Sequence, residues 1–216
     1  MRYYIEGNEV RAENTAKPYT QKSSAVNDYL KIIVDDPSVL DFGCGKLRYS
    51  DTLVKISSRV TFVDSEVQLN RTQAVRGELT SVKKYVEDNY DGCCSIAYEN
   101  LAKHDEKYKL IICTNVLSAI PCKNTLDDIV VHMHRLLMQN GRVIIVNQYR
   151  SSYFKKYESG VKWLYGYLHR GLRGVTYYGV VDKIQVEALL GKYNFVKIRS
   201  WYVGESLFTE ARVALV

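Results

Sequence analysis

Proline and long apolar runs are scarce in this chain. Its 216 residues include three prolines, too few for an extended proline-rich linker. No apolar run approaches the roughly 20 residues that a membrane-spanning helix needs. Residues 1–8 contain no apolar core of the kind found in secretion signals. We therefore expect no membrane span and a single cytoplasmic domain over residues 1–216.

The five cysteines lack the spacing that would indicate a disulfide framework or a zinc site. None of the five cysteines forms a C-x-x-C pair. Cys93, Cys94 and Cys113 fall in stretches that we interpret as buried strands. The sequence therefore predicts reduced thiols, with no disulfide framework and no zinc or other metal site.

Positive charge is plentiful and unevenly distributed. The formal net charge is +6, and residues 150–174 contribute six basic residues against one acid, Glu158. The surrounding segment 149–178 also contains nine aromatic residues. A local basic patch informs about partners rather than fold. We expect an anionic partner, either a small molecule or a nucleic acid, whereas the oligomeric state has no signature in the sequence.

Apolar stretches alternate with amphipathic ones from residue 20 to residue 147. The expected elements are strands at 38–42, 60–63, 94–98, 110–114 and 142–147, and helices at 20–34, 46–56, 66–89 and 125–138, of which the helix at 66–89 is expected to break near Gly77. Strands that are apolar throughout and alternate with helices predict a doubly wound, mostly parallel sheet.

The C-terminal part follows a different pattern. A helix is expected at 183–193, followed by strands at 195–202 and 207–216. The join around Gly204 is too short for a crossover helix, so this last pair is antiparallel. Together these elements predict an α/β fold with a seven-stranded sheet.

Two stretches fall outside this alternation. Residues 1–18 are polar and we expect them to be irregular. In segment 149–178, apolar residues three or four apart predict an amphipathic helix, and they are Tyr153, Tyr157, Val161, Leu164 and Leu168. Because this segment follows the fifth strand, we interpret it as an insertion or lid over the acceptor. The alternative is a structural cap with a solvated basic face.

The first strand runs into a glycine turn that suits ligand binding. Ligands of open α/β sheets bind at the carboxyl ends of the strands. Gly43 and Gly45 permit positive φ and let a ligand approach the backbone. Asp64 ends the next strand, 19 residues after Gly45, where an acid can bind a ribose diol. This spacing indicates an adenosine-containing ligand, and a tight turn plus a surface aspartate is the alternative.

The residues around the turn disfavour a dinucleotide. A dinucleotide motif has a third glycine where this chain has Arg48. The carboxylate of Asp41 would repel a pyrophosphate but suits a ligand with an ammonium group and no phosphate, such as S-adenosylmethionine. A nucleotide-dependent oxidoreductase is therefore a secondary alternative.

Several segments resemble those of the class I S-adenosylmethionine-dependent methyltransferases. The resemblance extends over residues 20–147, although many members have a third glycine at the position of Leu47. The similar segments are 39–45 (first motif), 61–64 (second motif), 108–121 (fourth strand) and 134–146 (following helix and fifth strand). The resemblance implies methyl transfer from S-adenosylmethionine. A methyltransferase-like module that binds without turnover is the other alternative.

The resemblance also implies a set of cofactor-binding residues. Asp41 is expected to hold the amino group of the methionine part and Asp64 the ribose hydroxyls. Glu99 or Asn100 is expected to contact the adenine. We further expect residues 1–19 to cover the cofactor. The set is completed by Gly43, Cys44 and Gly45 through their backbones, by Asn115 after the fourth strand, and by Tyr19.

The acceptor side is less defined. No general base is evident, and the candidate catalytic residues are Asn115, where cofactor and acceptor meet, and His169 in the basic segment. The expected substrate-binding residues are Tyr149, Tyr153, Lys155, Lys156 and Tyr177.

Overall fold

The structure is a computed structural model that describes residues 1–33, 37–148, 152–171 and 174–214, without the side chains of residues 152–154. The strands are β1 (Arg2–Ile5), β2 (Asn8–Arg11), β3 (Val39–Phe42), β4 (Val60–Asp64), β5 (Gln73–Val75), β6 (Glu78–Thr80), β7 (Cys94–Ala97), β8 (Tyr108–Thr114), β9 (Leu137–Gln148), β10 (Val161–Trp163), β11 (Gly166–Gly171), β12 (Gly174–Gly179), β13 (Phe195–Val203) and β14 (Ser206–Val213). The helices are α1 (Ser24–Lys31), α2 (Ser50–Ile56), α3 (Glu66–Asn70), α4 (Val82–Asn89), α5 (Lys123–Leu136) and α6 (Lys183–Gly191).

A seven-stranded sheet forms the centre of the molecule. Its strand order is β13-β14-β9-β8-β3-β4-β7. The pairs β3–β4, β3–β8, β4–β7 and β8–β9 are parallel, whereas β14 is antiparallel to both neighbours. The predicted fold class is confirmed, including the C-terminal antiparallel pair. Every residue of β3 is buried, as expected for a strand with helices on both faces.

Most helices begin at the polar side chains that the sequence offers as caps. Ser23 accepts a hydrogen bond from the backbone of Val26 at the start of α1. Ser65, Ser81 and Asp182 cap α3, α4 and α6 in the same way. These caps fix where each helix leaves the sheet edge.

The helix expected over 66–89 is interrupted by a hairpin. Helix α3 ends at Asn70, and β5 and β6 pair antiparallel before α4 begins. Arg76 and Gly77 form the turn with φ values of 51° and 97°. Two consecutive residues with positive φ make the type of turn that matches the twist of a two-stranded ribbon.

A second, five-stranded sheet replaces the irregular N-terminus and the helix expected in 149–178. Its order is β1-β2-β12-β11-β10, and we call it the lid sheet. Both expectations were wrong. Along β12, Val175 and Tyr177 are buried while Thr176 and Tyr178 are partly exposed, which is the two-residue period of a strand. The expected helix rests on the three- and four-residue spacing of the apolar residues in 153–168, of which the last, Leu168, is buried in β11.

The lid sheet joins segments that are distant in sequence. Strand β2 pairs in parallel with β12 through Val10 and Val175. Beneath this junction lies a small apolar cluster of Ile5, Val10, Leu168, Val175 and Tyr177. A Cβ atom on Gly179 would lie 3.0 Å from the carbonyl oxygen of Ser118. The end of β12 therefore lies against the turn that follows β8.

The cysteines and the surface bear on two further expectations. All five cysteines are free. Cys113 is buried as expected, but Cys94 is exposed on the edge strand β7 and Cys93 is partly exposed. The burial expected for these two was therefore wrong. Within the described ranges, no helix is long and apolar enough to cross a membrane.

Candidate active site

A cleft lies where the carboxyl ends of β3, β4 and β8 meet the lid sheet. Its volume is about 180 Å³, against the roughly 15 Å³ that one ordered water needs, so it can hold a ligand. Residues 12–17, which follow β2, form part of its wall. Its charged lining consists of Glu13, Lys17, Asp41, Lys46, Arg48 and Asp64.

The glycine turn after β3 is tied to the neighbouring strand. The backbone N–H groups of Gly43 and Cys44 both donate to the carbonyl oxygen of Val63, at 2.7 and 2.9 Å. Gly43 has a φ of 80°, and a Cβ atom there would lie 2.2 Å from Cγ2 of Val116. Glycine is required at this position both for its conformation and for its missing side chain.

Leu47 occupies the position of the missing third glycine. It adopts a φ of 58°, a left-handed conformation that costs a residue with a side chain about 1–2 kcal/mol. Its side chain is fully buried, which contributes about 1.5–3 kcal/mol. Burial offsets the strain, which explains why this turn functions without the third glycine.

Asp64 is bound closely by the turn and by the start of α3. Its Oδ2 accepts from the N–H of Gly45 at 2.9 Å. Its Oδ1 accepts from the N–H of Ser65 at 2.8 Å and from the Ser65 hydroxyl at 3.4 Å. Burial raises the pKa of Asp64, and these hydrogen bonds oppose the rise. The carboxylate is thus held at the ligand-binding end of β4.

Asp41 is buried beside the turn without a donor of its own. It is 5% exposed, and no described residue donates a hydrogen bond to its carboxylate. Burial raises the pKa of Asp41 to about 7, the negative charge of Asp64 adds to the rise, and Arg48 opposes it. The Thr114 hydroxyl, also in the cleft wall, is buried without a hydrogen-bond partner in the described part of the chain. These groups suit a cationic ligand with hydrogen-bond donors.

Asn115 joins the ends of β8 and β9. Its N–H donates to the carbonyl of Val146 at 2.7 Å, and its Oδ1 accepts from the N–H of Gln148 at 2.8 Å. It has a φ of 57° and lines the cleft. Its side-chain oxygen is thus used to shape the cleft floor.

Four predicted residues lie away from the cleft lining. Glu99 and Asn100 are exposed, and Glu99 accepts a hydrogen bond from the N–H of Glu66. The ring of Tyr19 lies under the guanidinium of Arg76, at 4.9 Å. His169 packs edge-on against Tyr157, 5.0 Å between ring centroids. The N-terminal segment does reach the cleft, but through residues 12–17 rather than Tyr19.

Of the predicted substrate-binding residues, one lines the cleft and two lie outside it. Tyr177 is buried in the cleft wall, and its hydroxyl accepts from the N–H of Tyr165 at 3.2 Å. Lys155 and Lys156 are exposed and do not line the cleft. Tyr149 lies outside the described residues, as does the side chain of Tyr153.

The cleft also contains residues that the sequence did not single out. They include Arg48, Gln68, Tyr98 and Tyr178. Burial raises the pKa of Tyr98 to about 12, so its hydroxyl is protonated at neutral pH. These residues follow no motif, and only Tyr98, directly after β7, has a sequence position that suggests the site.

The lining has no evident acid–base pair. Histidine is absent from the described residues that line the cleft, and no group of three potential metal ligands occurs in the described ranges. The polar groups that the described lining offers are mainly carboxylates, backbone amides and tyrosine hydroxyls.

The sequence of this chain matches a known protein family. The sequence model of the methyltransferase domain family matches residues 14–199. An uncharacterized protein of Escherichia coli K12, YmfD, is 44% identical over 201 residues, covering 93% of this chain and 91% of that protein.

Solved structures agree with this match. The PH0226 protein of Pyrococcus horikoshii superposes with a TM-score of 0.64 at 17% identity, covering 88% of this chain and 86% of that one. The N-methyltransferase NodS of Bradyrhizobium japonicum, in complex with S-adenosyl-L-homocysteine, superposes with a TM-score of 0.59 at 13% identity, covering 92% and 89%. At such identities the likeness shows the fold alone.

Proposed function

This chain belongs to the methyltransferase domain family, and we propose that it transfers the methyl group of S-adenosylmethionine to a small anionic acceptor held beneath the lid sheet. The family assignment confirms the resemblance found in the sequence and an S-adenosylmethionine-dependent methyltransferase as the enzyme class. It sets aside the nucleotide-dependent oxidoreductase. The acceptor and the role of each side chain are the proposal.

The residues of the cleft fit the cofactor. S-adenosylmethionine supplies a methyl group activated on a sulfonium. Asp41 is suited to the ammonium group of the methionine part, and Arg48, close enough to lower the pKa of Asp41, is suited to the carboxylate. Asp64 is suited to the ribose. The bare backbone at Gly43 and Gly45 allows close approach.

The buried carboxylate of Asp41 is the observation that carries this proposal. A carboxylate without a donor is costly to bury, and a second carboxylate, Asp64, increases that cost. A cationic ligand relieves both charges at once, whereas a phosphate ligand would add a third negative charge. The pair therefore favours a cofactor that carries ammonium and sulfonium groups.

The lid sheet supports a small acceptor. Tyr177, Tyr178 and Gly179 of β12 line the cleft opposite the glycine turn, so the acceptor lies between two walls. When bound, S-adenosylmethionine would supply the methyl group: the acceptor's lone pair would form the new bond to the methyl carbon, and the departing sulfur would keep the electron pair of the bond that breaks. With no histidine in the described lining, the chain contributes alignment and exclusion of water rather than a general base.

The anionic character of the acceptor is proposed from charge. Lys155 and Lys156 are exposed outside the cleft, so they would attract an anionic acceptor without binding it at the reacting atoms. A nucleic acid that docks on these lysines and extends one base into the cleft is the second candidate, favoured by the same exposed lysines.

Two measurements test the proposal. Titration calorimetry should show binding of S-adenosyl-L-homocysteine, and Asp64→Ala should weaken it by about 1–3 kcal/mol. Labelled methyl from S-adenosylmethionine should appear in a small-molecule fraction of a lysate. Label in RNA or DNA would select the nucleic-acid candidate, and no label in any fraction would leave a binding module without turnover.

A further inference from the structure

Gln68, in α3, has a buried side-chain oxygen that receives no hydrogen bond from the described residues. Gln68 is fully buried and lines the cleft. Its Nε2 donates to the carbonyl oxygen of Gly45 at 2.6 Å. Its Oε1 is buried and has no partner among the described residues. A buried amide oxygen without a donor destabilises a protein, so a donor on a ligand would complete this group.

The orientation of the amide is fixed by its neighbour. The atom next to the carbonyl oxygen of Gly45 must be a donor, and in a glutamine amide only the nitrogen can donate. Exchanging the two atoms would place two oxygens 2.6 Å apart. The hydrogen-bond network therefore assigns the amide in one way, and Oε1 is the atom left without a donor.

The number of hydrogen bonds that Asp64 can still accept shows why a ribose diol needs a second acceptor. An ionised carboxylate offers about four acceptor positions. Asp64 already uses three, for the N–H of Gly45 and for the N–H and hydroxyl of Ser65. It can take one further donor, whereas a ribose diol brings two. The second hydroxyl therefore requires an acceptor close to the same turn.

Asp64 and Gln68 both form hydrogen bonds with Gly45. Its N–H is bound by Asp64 and its carbonyl by Gln68, so the carboxylate and the amide flank a single peptide segment. We propose that Gln68 is a ribose-binding residue whose Oε1 accepts one hydroxyl of the diol while Asp64 accepts the other. This inference rests on the proposed function, since it presumes an adenosine-containing cofactor.

Neighbouring residues hold Gln68 in this position. Its N–H donates to the Ser65 hydroxyl at 3.4 Å, and its carbonyl accepts from Nε2 of Gln73 at 3.0 Å. Arg71 donates to Gln73 and to the carbonyl of Glu13. The amide is thus braced between the β5–β6 hairpin and the N-terminal segment, which makes it a pre-organised acceptor.

The test compares ligands as well as variants. S-adenosyl-L-homocysteine and its 2′-deoxy and 3′-deoxy analogues are titrated calorimetrically into the wild-type protein, Gln68→Leu and Gln73→Leu. In the wild type, both deoxy analogues should bind about tenfold more weakly than the parent. Gln68→Leu should weaken the parent about tenfold but leave one deoxy analogue unchanged. Gln73 donates to the backbone carbonyl of Gln68 and accepts from its Nε2 at 3.5 Å. Gln73→Leu therefore loosens the amide but removes no acceptor of the ligand, and it should weaken the parent less than Gln68→Leu does.

The outcomes separate the two levels of the argument. If the wild type does not bind S-adenosyl-L-homocysteine, the proposed function fails and this inference fails with it. If the wild type binds but tolerates either deoxy analogue without loss, Asp64 alone serves the ribose and the Gln68 assignment is overturned, whether or not the variants fold. An equal loss for all three ligands in Gln68→Leu would make Gln68 a support for Gly45 only.

Discussion

The parallel part of the seven-stranded sheet and the lid sheet differ in how the sequence encodes them. In the parallel part of the seven-stranded sheet, β3, β4 and β8 are each followed along the chain by a helix, so β3, Gly43 and α2 form one contiguous stretch of chain. The lid sheet joins residues 2–11 to residues 161–179, and its order cannot be obtained from either segment alone. The proposed cofactor site is therefore locally encoded, whereas the lid sheet, proposed to cover the acceptor, depends on a long-range pairing of β2 with β12.

If this comparison holds, the glycine turn should be the least tolerant position. Gly43→Ala should lower the free energy of unfolding by about 3–5 kcal/mol, because the new Cβ lies 2.2 Å from Val116 and the backbone has a φ of 80°. Gly7, in the β1–β2 turn, has a φ of 75°, and a Cβ atom there would have no other atom within 4 Å. Gly7→Ala should cost about 1–2 kcal/mol.

Urea unfolding of both variants measures the difference. The two glycines have nearly the same φ, 80° and 75°, so the gap between them reports mainly the packing of Val116 on the turn. Equal losses would mean that strain alone governs both turns, and the close approach at Gly43 would then have no role.

The same contrast explains what the sequence could predict. Strand β3, the glycine turn and Asp64 followed from apolar runs, glycine and spacing, all of which are local signals. The lid sheet did not, because Val161 and Leu168 fit a helical spacing as well as a strand, and only their pairing across β10, β11 and β12 decides between them. Helix α3 was overextended because the Arg76–Gly77 turn was treated as a break rather than a hairpin.

The candidate site divides along the same line. Asp41, Gly43, Cys44, Gly45, Asp64 and Asn115 line the cleft, and all of them were predicted. Gln68 also lines the cleft and was not predicted, because its contact with Gly45 joins two segments and has no trace in sequence spacing. Arg48 lies in the glycine turn and lines the cleft, but its position was used only to argue against a dinucleotide. Tyr19 lies against Arg76 of the unexpected hairpin and not in the cleft lining, and its expected contact with the cofactor stays a prediction.

Asp41 offers a second test, in which stability and binding should change in opposite directions. Its folded pKa of about 7 exceeds the ordinary value of 3.8. A raised carboxyl pKa means that the folded state binds the proton more tightly. The stability it contributes is present below about pH 4 and is lost as the pH rises to about 7. Above pH 7 the ionised carboxylate destabilises the apo protein.

Asp41→Asn should therefore remove this pH dependence. Relative to the wild type, its free energy of unfolding should rise by about 2–4 kcal/mol between pH 4 and pH 8, as followed by urea titration. Its affinity for S-adenosyl-L-homocysteine should fall at pH 8, and the wild-type gain in affinity from pH 6 to pH 8 should disappear. A variant with the same pH profile as the wild type would show that Asp41 does not titrate in this range.

A third test asks whether the lid sheet opens on its own. Val10 and Val39 are both fully buried valines, one in the apolar cluster of the lid sheet and one in the core of the parallel sheet. Val10→Ala should cost about 2 kcal/mol, expressed as faster hydrogen exchange in β11 and β12 and not in β3 or β8. Val39→Ala should accelerate exchange in both sheets. Uniform acceleration in Val10→Ala would mean that the two sheets unfold as one unit.

The smallest expected effect concerns the exposed lysines of the lid side. Lys155, Lys156 and Lys162 are exposed and lie outside the cleft lining, so their charge should act on encounter rather than on the bound acceptor. Replacing all three by Gln should lower kcat/KM for an anionic acceptor about two- to fivefold at low salt and leave kcat unchanged. The difference should vanish near 0.5 M salt, where the Debye length falls to about 4 Å.

A matched variant separates position from total charge. Lys55, Lys83 and Lys84 are exposed on α2 and α4, and replacing them by Gln removes the same three charges far from the lid sheet in the fold. If both triple variants lose kcat/KM equally, the net charge of the protein attracts the acceptor and the lid has no special part. If the lid variant loses kcat instead, the lysines contact the bound acceptor, and a polymer that extends beyond the cleft becomes the better candidate. A loss of kcat/KM that is confined to the lid variant would mean that acceptor recognition depends on charges gathered on one surface rather than on any single motif.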